Sequence, residues 1–207
     1  MINEISPRPR GRPRAFDREI ALGQARRTFW DLGYEGASIA DLTAAMGITP
    51  QSLYAAFQSK AALYRETLEQ YRRTDGSFTR QALAEEPTAA KAFRRILTEA
   101  AHLFASRDRP TGCMLSTAVT TCAVENKAIA ELVTEMRQDT LARYRERIEK
   151  GIKDGDVPPD IDALATARFF QTVIQGMTIQ ARDGAQEADL AAVADIAWPE
   201  LERRLTA

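Results

Sequence analysis

Apolar residues recur every three to four positions along most of this sequence, and that spacing constrains the fold more than any other feature. No segment shows the alternation of apolar and polar residues that marks a half-buried strand. Residues that break helices, such as Gly112, Gly155 and Gly184, separate the periodic segments. The sequence therefore predicts an all-α fold, with long helices in its C-terminal two-thirds at about 88–106, 113–123, 126–151, 161–183 and 189–205.

The N-terminal third has the signals of shorter helices. Asp17 suits the N-cap of a first helix, which is predicted to end at Gly33. Ser38 and Thr49 suit the N-caps of a second and a third helix, and Ser59 that of a fourth, which runs to about Arg73. The predicted inward-facing residues of the first three are Ile20, Ala25, Phe29, Leu32, Ile39, Leu42, Met46, Leu53, Ala56 and Phe57.

The second and third helices are joined by the short turn Gly47-Ile48. Small polar side chains lie on the side of the third helix opposite Leu53 and Phe57. Two short helices in this arrangement match a helix-turn-helix, whose second helix reads the major groove of DNA.

Residues of about 15–65 resemble the DNA-binding domain of the tetracycline-repressor (TetR) family. The residues that carry the resemblance are GYEGASIADL at 33–42 and MGITPQSLYAAFQSK at 46–60. The resemblance implies a three-helix DNA-binding domain at 16–64 and a helical regulatory and dimerisation domain at 65–207. It also implies that the helix opened by Pro50 enters the major groove, while Ser38, Thr43, Tyr54 and Lys60 approach phosphates. Pro7, Pro9, Gly11 and Pro13 disfavour a regular helix before the DNA-binding domain, so residues 1–15 are predicted to form a flexible arm.

Side-chain chemistry in the third helix agrees with those roles. Gln51 has the donor and acceptor needed for paired hydrogen bonds to a base edge, and the hydroxyls of Thr49 and Ser52 can donate to a base or a phosphate. Alternatives remain, in which Thr49 is only a cap, Tyr54 belongs mainly to the core and Lys60 is a solvated helix start. The helix carries no Lys or Arg, so attraction to phosphate must come from elsewhere.

The N-terminal arm supplies such a charge. The whole chain has a net charge of −1, yet Arg8, Arg10, Arg12 and Arg14 alternate with uncharged residues. Arg10-Gly11-Arg12-Pro13 resembles the core of an AT-hook, which places arginines in a narrow minor groove. Arg10, Arg12 and Arg14 are therefore predicted to contact DNA, with a solubilising tail as the alternative.

The family resemblance further implies a small-molecule pocket among the C-terminal helices and a dimer interface in the last two. Apolar residues cover more of the 161–183 helix than one core stripe requires, which favours a second buried face. Each pocket candidate could instead be an ordinary core residue, and both helices could pack within one subunit. The pocket candidates are Phe93, Leu97, His102, Phe104, Cys113, Met114, Thr117, Met136 and Phe170. The interface candidates are Phe169, Val173, Gly176, Met177, Val193, Ile196, Ala197, Trp198 and Leu201.

These features predict a cytoplasmic, homodimeric, sequence-specific DNA-binding regulator. As the family implies, it is expected to be a repressor that a small-molecule effector releases from a palindromic operator. A redox-responsive repressor acting through Cys113 or Cys122 is one alternative, and a sequence-independent architectural protein is another. An enzyme that uses His102, Cys113 and Glu125 is disfavoured because these residues lack triad spacing. No metal, other cofactor or membrane association is expected, since the single His and two Cys make a poor metal set and no apolar run reaches about 20 residues.

Overall fold

The computed structural model describes residues 16–118 and 123–206, and the regular elements within those ranges are all helical. A 3₁₀ turn at Val124–Asn126 precedes the longest helix. The α-helices are α1 Arg18–Gly36, α2 Ile39–Met46, α3 Pro50–Phe57, α4 Lys60–Arg73, α5 Ser77–Glu85, α6 Ala89–Ala105, α7 Met114–Thr117, α8 Lys127–Asp154, α9 Ala163–Arg182 and α10 Glu187–Leu205. The predicted all-α fold is confirmed.

Helix α1 begins as predicted but differs in its end and in its buried face. Asp17 accepts hydrogen bonds from the amides of Glu19 and Ile20, so the predicted cap is present. Gly33, at φ 73° and ψ 175°, breaks the helix, which resumes as far as Gly36. The predicted burial of Ile20 and Leu32 is wrong, since they are 64% and 50% exposed. Ile20 lies about 140° around the helix from the buried Ala25, and Leu32 adjoins the break.

Two segments of the middle of the chain depart from the predicted pattern. Helix α5 was not predicted, because Gly76 gives it no side-chain cap and only Phe78 and Ala82 are buried in it. The predicted helix at 113–123 is wrong in extent: within the described residues α7 ends at Thr117, where Ala118 has extended backbone angles. Cys122 lies outside the described residues.

The buried residues form two hydrophobic clusters. One joins α1 to α4 with α7 and the first turns of α8, through residues such as Leu115 and Val133. The other joins α5, α6, the rest of α8, α9 and α10. Helix α4 continues without interruption across the predicted domain boundary at 64/65, so the N-terminal core packs directly on the C-terminal helices.

Polar contacts also connect the two ends of the chain. Asp75, after α4, forms ion pairs with Arg26 of α1 at 3.0 Å and with Arg109 at 3.4 Å. Arg182, at the end of α9, donates to the carbonyl oxygens of Trp30 at 3.1 Å and Asp31 at 3.0 Å. Helix α1 is thereby held by α4, by the loop after α6 and by α9.

Candidate DNA-binding interface and helical cavity

The turn between α2 and α3 has the geometry predicted for a helix-turn-helix. Gly47 ends α2 in the left-handed conformation, at φ 64° and ψ 31°. The amide of Ile48 then donates to the carbonyl of Thr43 at 3.1 Å. Thr49 caps α3 and Pro50 occupies its first turn, where the missing N–H costs no hydrogen bond. These local signals fix the angle at which α3 leaves the turn.

Helix α3 has one buried and one exposed face. Leu53 and Phe57 are 0% and 1% exposed and anchor the helix in the N-terminal core. Gln51 and Ala55 are exposed, and Tyr54 is 48% exposed, so Tyr54 is not primarily a core residue. The exposed face offers an amide, a phenol and a methyl group, which are groups that can contact base edges and phosphates.

The hydroxyls at the start of α3 are hydrogen-bonded to each other. Thr49 Oγ1 accepts from the Ser52 amide at 3.1 Å, and the two hydroxyl oxygens are 3.0 Å apart. The predicted N-cap role of Thr49 is therefore confirmed. This contact orients the hydroxyls of Thr49 and Ser52 at the N-terminal end of α3.

Ser38, the N-cap of α2, and Thr43, within α2, were both expected to approach phosphates but differ in accessibility. Ser38 is exposed and forms a capping box with Asp41, in which Asp41 Oδ2 accepts from the Ser38 amide at 2.9 Å. Thr43 is 7% exposed, and its hydroxyl donates to the carbonyl of Ile39 at 2.8 Å. The position of Thr43 therefore does not favour a phosphate contact through its side chain.

Lys60, at the start of α4, packs against the end of α1. Its ammonium nitrogen lies 4.6 Å from the centre of the Tyr34 ring. Partial burial lowers the pKa of Lys60, while the nearby Glu35 carboxylate opposes that shift. Glu35 in turn accepts hydrogen bonds from Asn126 Nδ2 at 2.9 Å and from the Ala123 amide at 3.1 Å. The predicted phosphate-binding cation thus lies beside a contact between α1 and the turn before α8.

Gln58 is a feature of this surface that the sequence pattern did not reveal. It is exposed and ends α3 with φ 67° and ψ −48°, a conformation that residues other than Gly rarely adopt. A run such as Phe57-Gln58-Ser59 carries no glycine to signal the turn. Its strained backbone allows α4 to follow α3 with only two residues, Gln58 and Ser59, between them.

A cavity of about 90 Å³ lies among α4, α5, α8 and α9. Its wall combines aromatic and aliphatic groups with arginines, glutamines and hydroxyls, and 18 residues contribute. They are Tyr71, Arg72, Gly76, Phe78, Thr79, Arg80, Leu83, Phe104, Cys113, Leu115, Ser116, Arg137, Thr140, Arg143, Tyr144, Gln171, Ile174 and Gln175.

Of the predicted pocket residues, Phe104 and Cys113 line this cavity. Phe93, Leu97 and Phe170 are fully buried behind it in the C-terminal core. Met114 and Met136 belong to the N-terminal core, and the half-buried Thr117 donates its hydroxyl to the carbonyl of Cys113. His102 faces outward, with its side chain 66% exposed and its Nδ1 atom 3.1 Å from Glu187, so the structure does not support its assignment to a pocket.

Tyr71 connects the cavity to the DNA-binding helices. Its hydroxyl donates to the Cys113 sulfur at 3.2 Å, and its ring packs edge-on against Trp30 of α1, with ring centres 4.9 Å apart. Complete burial raises the pKa of Tyr71 well above its ordinary value, so the hydroxyl stays protonated. A molecule that moves Tyr71 would press on both α1 and α4.

Helices α9 and α10 share an apolar face that no other element covers in the described part of the chain. Phe169 is 42% exposed, Val193 38% and Ile196 82%. A Cβ atom added at Gly176 would meet nothing within 4 Å. Among the other interface candidates, Val173 and Ala197 are half-buried. Met177 and Leu201 are 0% exposed and belong to the subunit core, and Trp198 packs against Arg94 of α6.

Two kinds of site are absent from residues 16–118 and 123–206, the part of the chain that the structure describes. No group of three or more His, Cys, Asp or Glu side chains there is placed to hold a metal ion. Among the same residues, no helix is both long and apolar enough to cross a membrane.

Comparison with known protein families gives two matches along the chain. Residues 21–67 match the model for bacterial regulatory proteins of the tetR family. Residues 89–196 match the model for a tetracyclin repressor-like C-terminal domain.

Two curated relatives from Escherichia coli (strain K12) match almost the whole chain. The HTH-type transcriptional repressor ComR is 35% identical over 199 residues, which are 93% of each chain. The HTH-type transcriptional repressor BdcR is 28% identical over 197 residues, or 95% of each chain.

A solved structure with a similar fold contains DNA. It is a cysteine mutant of the TetR family transcriptional regulator CifR, complexed with 26-base-pair double-strand operator DNA. The two chains are 41% identical and superpose with a TM-score of 0.88, covering 91% of this chain and 98% of the other.

Proposed function

The chain belongs to the TetR family of bacterial regulatory proteins, and on that basis we propose that it represses transcription by binding operator DNA as a homodimer. The observation that carries this proposal is the exposed face of α3. Gln51 and Tyr54 are presented there on a helix whose opposite face is anchored by Leu53 and Phe57. The similarity to a regulator in complex with operator DNA supports the same role.

We propose that α3 reads bases and that its surroundings bind phosphates. Gln51 forms paired hydrogen bonds to a base edge, and Tyr54, Lys60 and Ser38 approach the backbone on either side. Pro50, Thr49 and Ser52 are at the tip of α3, where Thr49 and Ser52 add hydroxyl contacts. Arg10, Arg12 and Arg14 add charge from the arm, a prediction that lies outside the described residues.

The proposed division of the chain follows from these roles. Residues 16–64 form the DNA-binding unit, and 65–207 form the regulatory and dimerising unit, with α4 shared between them. The relatives of the chain are transcriptional regulators, and we assign no catalytic step to this protein. Its site of action is the cytoplasm, where a bacterial operator lies.

We propose that the uncovered face of α9 and α10 forms the homodimer. Phe169, Val193 and Ile196 leave water when two such faces meet, and Gly176 allows the helix backbones to approach closely. The dimer brings two α3 helices to a spacing of about 34–36 Å, one turn of DNA, which implies a palindromic operator.

We also propose that a small molecule in the cavity around Tyr71 releases the operator. The cavity contacts α4 directly and α1 through the Tyr71–Trp30 pair, so a ligand there biases the position of α3. By linkage, the ligand weakens DNA binding by the same factor by which DNA weakens ligand binding. A coupling of about 1–3 kcal/mol corresponds to a five- to 150-fold loss of operator affinity.

The test is a footprint and a titration on the DNA upstream of the protein's own gene. We expect protection of a palindromic segment, and at one stated salt concentration a far higher affinity for it than for a random duplex of equal length. Equal affinity for both duplexes would overturn sequence-specific repression in favour of an architectural role.

A redox-responsive repressor is a second candidate, which the position of Cys113 favours. Its sulfur lines the cavity and accepts the Tyr71 hydrogen bond, so modification of the thiol would disturb the same link to α1. Loss of operator binding with peroxide, restored by a thiol reductant and absent in Cys113→Ser, would support this candidate. Unchanged sensitivity in Cys113→Ser would exclude Cys113 as the sensor.

A further inference from the structure

We propose that the cavity among α4, α5, α8 and α9 selects a small carboxylate with an apolar body. This inference rests on the proposed function, because it names the chemical class of the effector for the same cavity. It follows from the distribution of charge and apolar surface around the wall.

The charged groups of the wall are all cationic. Arg72, Arg80, Arg137 and Arg143 line the cavity, and no Asp or Glu is among the lining residues. Four guanidinium groups around one small space disfavour a cationic ligand and favour an anionic one.

One nearby carboxylate satisfies only part of this charge. Asp139 pairs with both Arg72 of α4 and Arg143 of α8. Within the described residues, no carboxylate lies within ion-pair distance of Arg137 or Arg80. The local surplus of positive charge therefore persists after the internal ion pairs are formed.

Arg137 is the guanidinium best placed to receive an anion. It is half-buried, and it donates to the Ala118 carbonyl at 2.8 Å and only at 3.4 Å to Thr134 Oγ1. Since a guanidinium has five N–H donors, others remain for a ligand. Arg137 is partly removed from water, which lowers its pKa and leaves hydration that an anion could replace.

The rest of the wall requires an apolar body on the ligand. Phe78, Leu83, Phe104 and Ile174 contribute apolar surface to the same cavity. A bare inorganic anion would leave that surface unused, whereas a carboxylate on a short aliphatic or aromatic group would use both parts of the wall. The volume of about 90 Å³ limits the body to a small group.

The experiment compares carboxylates with their neutral amides. Benzoate and benzamide, and hexanoate and hexanamide, are titrated against the full chain by calorimetry and by thermal shift at constant ionic strength, with sodium sulfate as a further probe. We expect each carboxylate to bind roughly tenfold or more tightly than its amide, as a charge-assisted hydrogen bond implies.

Substitutions of single arginines test which guanidinium gives the preference for a carboxylate over its amide. Arg137→Gln is expected to abolish the carboxylate preference. Its affinity for the amides should stay within about twofold of the wild-type value. Arg145→Gln is the matched control, because Arg145 is on the same helix, pairs with Glu149 and does not line this cavity. If Arg137→Gln does not fold, Arg80→Gln, at an exposed position of α5, must reduce the same preference.

The outcomes separate this inference from the proposed function. Absence of binding by every carboxylate, equal binding of carboxylate and amide, or equal stabilisation by sulfate would overturn the inference. If the amides bind as tightly as the carboxylates and release the operator, the preference for a carboxylate is overturned, but control of the operator by an effector is supported. Carboxylates that bind with the expected preference but leave operator affinity unchanged would support the ligand class and overturn effector control.

Discussion

The chemistry of α3 is unusual in that its exposed groups are neutral. Between Thr49 and Phe57 the chain has no Lys or Arg, so in the proposed complex this helix acts through hydrogen bonds and shape. In the proposed complex, positive charge comes from outside α3, from Lys60 and from the predicted arm. Changes in α3 and changes in those cations should therefore have different signatures.

Gln51→Ala is expected to relax base preference at one operator position, at a cost of about 1–3 kcal/mol, because it removes a base contact. The slope of log affinity against log salt should remain unchanged, since no phosphate contact is lost. Gln138→Ala, at an exposed position of α8, is the control and should alter neither quantity. A uniform loss across operator variants in Gln51→Ala would contradict the assigned role.

Gly47 and Gly23 allow the effect of a positive φ to be tested separately from the effect of side-chain crowding. An added Cβ would meet nothing within 4 Å at either site, but only Gly47 has a positive φ, of 64°. Gly47→Ala is expected to lower the free energy of unfolding by about 1 kcal/mol, while Gly23→Ala raises it by about 0.4–1 kcal/mol through reduced entropy of the unfolded chain. Urea denaturation measures the free energy of unfolding of both variants. A change of the same sign in both would contradict the interpretation.

At the scale of elements, α9 and α1 are joined more directly than their separation in sequence suggests. Arg182 donates to two carbonyls of α1 just before the break at Gly33. Helix breaks leave carbonyls without their usual donors, and a guanidinium can satisfy two at once. The element that carries the proposed dimer face therefore also holds the first helix of the DNA-binding unit.

Arg182→Ala is expected to loosen α1 at its C-terminal end. The stability loss should be about 1 kcal/mol, since one of the two hydrogen bonds is solvent-exposed. Amide hydrogen exchange at 33–37 should accelerate relative to the rest of the chain. Arg203→Ala, which removes an exposed ion pair with Glu200, should leave exchange in α1 unchanged. Unaltered exchange in both variants would show that Arg182 does not restrain α1.

The N-terminal segment is the second element with a separable role. Deletion of residues 1–14 is expected to lower operator affinity and to reduce the slope of log affinity against log salt by about one per lost phosphate contact. Replacement of Arg10, Arg12 and Arg14 by Gln at full length controls for the loss of chain length. Unchanged affinity and slope would return these arginines to the role of a solubilising tail.

For the whole molecule, the proposed function depends on two copies at a fixed spacing. A stable dimer is expected at micromolar concentration, measurable by the mass in solution. Gly176→Leu should weaken it by about 1–3 kcal/mol through overpacking, while the subunit fold persists because the site is open within one chain. Gly23→Leu is the control on α1. A strictly monomeric wild-type protein would contradict the proposed interface.

The sequence alone determined the local structure of the N-terminal third. Caps such as Asp17 and Thr49, the left-handed Gly47 and the anchors Leu53 and Phe57 act within a few residues of one another. Local signals of this kind are readable because the backbone groups they satisfy lie within one turn of helix. The helical periodicity of α9 and α10 was readable in the same way, and both helices are present.

Only the tertiary structure decided which helical face meets which partner. Helical spacing allowed Ile20 to be buried and His102 to line a pocket, but packing exposes both. It also buries Met177 and Leu201 inside the subunit and gathers Arg72, Arg80 and Arg137 around one cavity. These arginines come from three helices, and their proximity depends on long-range packing that no periodicity within a single helix encodes.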